Sequence, residues 1–152
     1  MKKYLFMFAL LATVFSFSAC SDDDEPFDID QLEGTWGLVR LQGYYIEDGE
    51  KESWNEGFDP YNPTDDDDCE KVDINKNDDG SYTMLHYEYY SGRWNMLDRE
   101  SFKLEGKKMI PLSDDADVSA QIVSVSSKQL VVETKYKDEE GEEYEKRTYK
   151  KM

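Results

Sequence analysis

From Thr35 onward the chain repeats one pattern: a short run of β-branched and aromatic residues, a turn signal, then another run. Residues 129–137, QLVVETKYK, show it best. Leu130, Val132, Thr134 and Tyr136 fall on one side, and Gln129, Glu133, Lys135 and Lys137 on the other. That is the period of a strand with one wet face. Comparable runs occupy 31–46, 69–76, 81–90, 93–106, 107–114, 119–127 and 142–151, with Gly34, Asn77-Asp78-Asp79-Gly80, Gly92 and Pro111 as punctuation. Along 93–106, Trp94, Met96, Phe102 and Leu104 share one parity and are expected on one face. Residues 52–68 have no period and contain Pro60 and Pro63, which predicts a long loop. No run supports a helix. About eight sequential strands with short connections predict an all-β chain, an antiparallel up-and-down barrel, because closure removes exposed sheet edges. Eight strands leave an interior that either fills with side chains or holds one small ligand.

The first 19 residues are of another kind. Lys2 and Lys3 precede an uncharged, mostly apolar stretch, Tyr4 to Ala19. A bilayer-spanning helix needs about 20 such residues, so 1–19 reads as a signal peptide. Ser18-Ala19-Cys20 resembles the end of a bacterial lipobox, with Phe17 where leucine is usual. The resemblance implies cleavage before Cys20 and a lipid on its thiol. Acyl chains worth about 0.8 kcal/mol per buried methylene would hold the protein on a membrane. Ser21, Asp22, Asp23, Asp24 and Glu25 resemble the acidic surface-export signal of Bacteroidota-type lipoproteins. The same run also serves as a solvated spacer. The expected organisation is a signal peptide over 1–19, a lipidated cysteine and acidic leash over 20–29, and one barrel domain over 30–152. The expected address is the outer membrane, on the cell surface.

Charge restricts the partners. The formal net charge is −17, and loss of Lys2 and Lys3 would make it more negative. Nucleic acid is excluded, since phosphate binding needs clustered Lys and Arg. Disorder is opposed by an aromatic content of 14%, with 11 Tyr, 7 Phe and 3 Trp. With Cys20 lipidated, Cys69 has no disulfide partner in the chain. Its acidic neighbours disfavour a thiolate, and it reads as a small apolar residue at a strand start.

No catalytic set emerges. A Cys69–His86 nucleophile and base would need an electropositive pocket, and the setting is acidic. No motif selects a pair among the 35 acids. Asn75, Asn77, Asp79 and Gly80 match the first half of a calcium-binding loop, but its twelfth position is His86 where a bidentate glutamate belongs. Asn77 to Gly80 therefore reads as a hairpin turn. The Asp65–Asp68 run lacks chelating geometry. No metal and no cofactor are expected.

Leu32-Glu33-Gly34-Thr35-Trp36 resembles the opening of lipocalins, and more closely the L-x-G-T-W-x-L start of lipocalin-like domains on Bacteroidota lipoproteins. The resemblance implies that Gly34 and Trp36 lie at the closed end of the barrel, with Trp36 covered by a basic residue of the last strand, Arg147 or Lys146. It also implies that the loop after the first strand lies over the open mouth. Trp54, Phe58 and Tyr61 in that loop, with Tyr82 and Trp94 on the strands, are then the candidate ligand contacts. The expected function is non-enzymatic binding of a small apolar or amphipathic molecule or a glycan fragment. A filled barrel acting as an interaction module is the alternative, and an enzyme the third. Mass spectrometry of membrane-extracted protein should find acyl chains on Cys20, and Cys20→Ala should leave an uncut precursor. A mature N-terminus elsewhere, or a soluble product, contradicts the assignment.

Overall fold

The computed structural model describes residues 26–65, 69–113, 119–137 and 141–152. The signal segment, Cys20, the acidic run after it and Asp66–Asp68 lie outside the described residues. The strands are β1 (Gly34–Glu47), β2 (Glu50–Gly57), β3 (Glu70–Lys76), β4 (Tyr82–Tyr90), β5 (Arg93–Glu105), β6 (Lys108–Pro111), β7 (Ser119–Val125), β8 (Gln129–Lys137) and β9 (Gly141–Lys151). All neighbours are antiparallel, and pairing of β1 with β9 closes the sheet. Along one edge of β1, β2 pairs with residues 40–47 and β3 with residues 34–37. The two are one barrel stave interrupted at 58–69, so nine strands make an eight-staved closed barrel.

β2 corrects the expectation of a loop over 52–68. Its sequence, EKESWNEG, alternates regularly, but in charge and not in hydropathy. Glu50, Glu52, Trp54 and Glu56 take one face and Lys51, Ser53 and Asn55 the other. A search for apolar alternation passes over such a strand.

The core fills the closed end. A single 3₁₀ turn, Ile29–Gln31, leads into fully buried Leu32. Trp36, also fully buried, donates its indole N–H to the Leu32 carbonyl at 2.8 Å. Lys151 Nζ stands 4.2 Å from the Trp36 ring centroid and donates to the carbonyls of Gln31 and Glu33. Its stem crosses Gly34, which has φ +127° and no Cβ to obstruct it. The basic cover of Trp36 is thus Lys151, not Arg147 or Lys146. Alternation puts Arg147, Tyr149 and Lys151 on one face, but register pairs Trp36 with Lys151 and Leu41 with Arg147. Leu38, Val72, Ile74, Met84, Ile122 and Leu130 complete the packing. Tyr82 belongs to this core, stacked on Phe102 at 5.5 Å, and is no ligand contact.

Bulges reset which face points inward. Val39 on β1 and Val123 on β7 are extra residues at the same level, just above the rung of Leu38, Tyr149, Leu130 and Val125. Leu97 is extra on β5. It breaks the parity expected along 93–106: Phe102 and Leu104 face the core, whereas Trp94 and Met96 face out. Trp94 packs edge-on against Tyr89 at 5.4 Å, with Lys71 Nζ 5.1 Å from its ring, outside the barrel.

The turn reading of Asn77 to Gly80 holds. Gly80 has φ +81°, its N–H bonds to Asn77 O, and the Asp79 carboxylate accepts from both N–H and Oγ of Ser81. Those bonds hold the Asp79 carboxyl below its usual range. The described part of the connection, 58–65, does not lie over the mouth. Pro60 is buried against Gly37, Tyr61 Oη donates to Lys151 O at the closed end, and Asp65 accepts from Gly92 N. The segment runs along the outer wall. Phe58 packs partly against the core.

Trp36→Ala should cost about 3–5 kcal/mol, as for other buried aromatic truncations. Lys151→Met should cost about 1 kcal/mol, the scale of a partly desolvated cation–π contact. Chemical denaturation of both variants checks the order; equal losses contradict it.

Candidate functional site

The open half of the barrel interior is polar. Arg147 projects inward from β9. Its Nη1 donates to Glu70 Oε2 at 3.2 Å, and its Nε and Nη2 each lie 3.1 Å from Glu145 Oε2. Burial works against the guanidinium charge, but Tyr149, Glu145 and Glu70 outweigh it and push the Arg147 pKa up. Burial also pushes up the Tyr149 phenol. Across the interior, His86 Nε2 stands 3.4 Å from Glu100 Oε2, too poorly directed to count as a hydrogen bond. That contact still holds the Glu100 carboxyl below its usual range against its partial burial. Arg147 is therefore fully engaged, whereas Glu100 keeps much of its surface open.

Two cavities meet at Asp98 and Glu100. The larger, about 650 Å³, has Phe102, Met109 and Ala120 among its apolar lining and Thr134, Asp98, Glu100 and Arg99 among its polar groups. It lies beside β6, a strand of four residues that pairs with Phe102–Glu105 of β5 and with Ala120 and Gln121 of β7. The smaller, about 280 Å³, lies toward Glu70, His86, Leu97 and Arg147. A third hollow of about 320 Å³ opens at the rim between Tyr45, Glu47, Tyr136 and Glu143.

Of the expected contacts, Trp54 alone lines the open half, from β2 rather than from a loop. Its ring lies over Gly43, where a Cβ would come within 2.6 Å of it. Its indole N–H is buried with no partner among the described residues. Phe58, Tyr61, Tyr82 and Trp94 do not join it. The sequence reading missed Glu100, Ala120 and the rim tyrosines Tyr45 and Tyr136. Tyr45 and Tyr136 had a signal: both occupy the inner parity of their strands. Cys69 faces the outer side, its Sγ 3.7 Å from Asp59 O, while His86 faces in. The wall separates them, so they form no catalytic pair.

No family model matches the chain, and no curated protein matches it. Solved structures do. The siderocalin Ex-FABP, described as acting through dual ligand specificities, is 11% identical over 80% of this chain and 74% of that chain, with a TM-score of 0.51. Bovine odorant-binding protein in complex with undecanal is 14% identical over 82% and 74%, with a TM-score of 0.48. The fold is that of the lipocalins. This lipocalin-like barrel is filled where the core is apolar and hollow where the inward residues become charged.

Arg147→Met should strip both Glu70 and Glu145 of their cation and cost about 1–2 kcal/mol, between the scales of exposed and fully buried pairs. Adding Glu70→Gln and Glu145→Gln should recover most of that loss. Denaturation midpoints of the single and triple variants check this. A single variant as stable as wild type contradicts the interior placement.

Proposed function

We propose that the protein is a lipid-anchored surface lipoprotein whose barrel binds one small amphipathic molecule in its open half. The carrying observation is the cavity of about 650 Å³, apolar at Phe102, Met109 and Ala120 and polar at Thr134, Asp98 and Glu100. This combination of an apolar lining and a few convergent polar groups is what small-molecule sites present. The lipocalin fold supports the reading, since the neighbour with a TM-score of 0.51 is a siderocalin described as functioning through dual ligand specificities. The anchor and the surface address rest on Ser18-Ala19-Cys20 and the acidic run behind it. Among the described residues, the one histidine has no nucleophile beside it, and the reading is of a binder and not an enzyme.

A neutral apolar dye, N-phenyl-1-naphthylamine, tests the cavity. Wild-type protein should enhance its fluorescence saturably. Ala120→Phe and Thr134→Phe should fill the space and weaken binding by about tenfold or more, equivalent to about 1.4 kcal/mol, with thermal unfolding retained. Unchanged dye affinity in both variants places any binding elsewhere. No enhancement by wild type favours a filled interaction module.

A further inference from the structure

We infer that the open half selects a ligand with positive charge, an organic amine carrying an apolar or aromatic body. The inference rests on the small-ligand reading above. Strand parity sorts the charges. On β2, Glu50, Glu52 and Glu56 face in with Trp54, and Lys51 faces out. On β9, Glu143 and Glu145 face in, and Lys146 and Lys150 face out. On β8, Thr134 and Tyr136 face in, and Lys135 and Lys137 out. Asp98 and Glu100 face the interior from β5. On these strands the inward charges are mostly acids and the lysines face solvent; Glu133 and Glu142 face out with them, and Arg93 falls on the inner parity of β5 at the mouth.

This arrangement works against itself without a cation. Glu47 lies directly opposite Glu50, and Glu52, Tyr45 and Glu143 stand side by side across three strands. Like charges so placed repel. The Glu52 charge, with partial desolvation and the Glu47 charge behind it, pushes the Tyr45 phenol up. A concave wall focuses the negative potential. Of the inward cations, Arg147 is held by Glu70 and Glu145, and Lys151 sits at the closed end. No ion pair engages Glu52, Glu143 or Asp98 among the described residues.

The aromatic neighbours and the spacing favour an amine over a metal ion. No three His, Cys, Asp or Glu side chains among the described residues gather as a metal site. Tyr45 and Tyr136 instead flank Glu143 in the rim hollow, and aromatic faces attract ammonium groups. The buried Trp54 N–H on the same wall would be satisfied by an acceptor beside the amine.

Three dansyl probes of one body and different charge test this: cationic dansylcadaverine, neutral dansylamide and anionic dansylglycine. Dansylcadaverine should bind about tenfold more tightly than dansylamide, less so in high salt, and dansylglycine should bind worst. Glu52→Gln with Glu143→Gln should cut the cationic preference to about threefold or less, through weaker dansylcadaverine binding, in a protein that unfolds at or above the wild-type temperature. Equal affinity for all three probes overturns charge selection while keeping the small-ligand reading. Full preference after also changing Asp98→Asn and Glu100→Gln overturns it too, as does displacement of dansylcadaverine by stoichiometric calcium. No binding of any probe overturns the small-ligand reading and this inference with it.

Discussion

The indole N–H of Trp36 bonds to Leu32 O while Lys151 lies across the ring, and this contact joins the N-terminal turn, the first strand and the last. Closure of the barrel depends on it. β1 is the strand on which both ends of the sheet meet, β3 at residues 34–37 and β9 from Trp36 upward. A buried Trp supplies the apolar area, and its polar edge is satisfied locally, so no orphaned donor offsets the gain. The lysine serves two purposes. Its stem covers apolar surface, and its ammonium meets carbonyls left open at the end of the single 3₁₀ turn.

Above this rung the polarity rule changes. Near the closed end the inward residues are Leu38, Val72, Ile74 and Leu130, as in any packed core. Beyond the bulges at Val39 and Val123, Ile122 and Val132 still pack on the core, and the inward positions above them include Arg147, Glu145, Thr134 and Glu143. One chain thus builds a filled barrel below and a charged hollow above. The bulges mark the change because they add twist where the staves must spread. The cavity beside Phe102 and Met109 adjoins the short β6.

The lower half was the more legible. Apolar alternation marks β8, and Gly34-Thr35-Trp36 marks the entry to the closed end. The turn at Asn77–Gly80 follows from local chemistry, and buried Cys69 stands as expected just before β3. What escaped was non-local or charge-coded. The choice of Lys151 over Arg147 as the cover of Trp36 is decided by register between the first and last strands, which alternation within β9 leaves open. Trp94 left the interior because one extra residue, Leu97, reverses the faces of β5. β2 was hidden because its inward residues, apart from Trp54, are glutamates, and a polar hollow needs no hydrophobic alternation. The path of 58–65 along the outer wall depends on Pro60 finding Gly37, a contact that no local pattern announces.

Native-state amide hydrogen exchange along β1 tests the central claim, a barrel locked at Trp36 and held more loosely toward its mouth. Amides of Trp36 and Leu38 should exchange only by global unfolding, and those of Tyr45 to Glu47 through much smaller local openings. The amides on the free edge of β2 should exchange fastest. Uniform protection from Trp36 to Glu47 would contradict a division between a filled half and a hollow one.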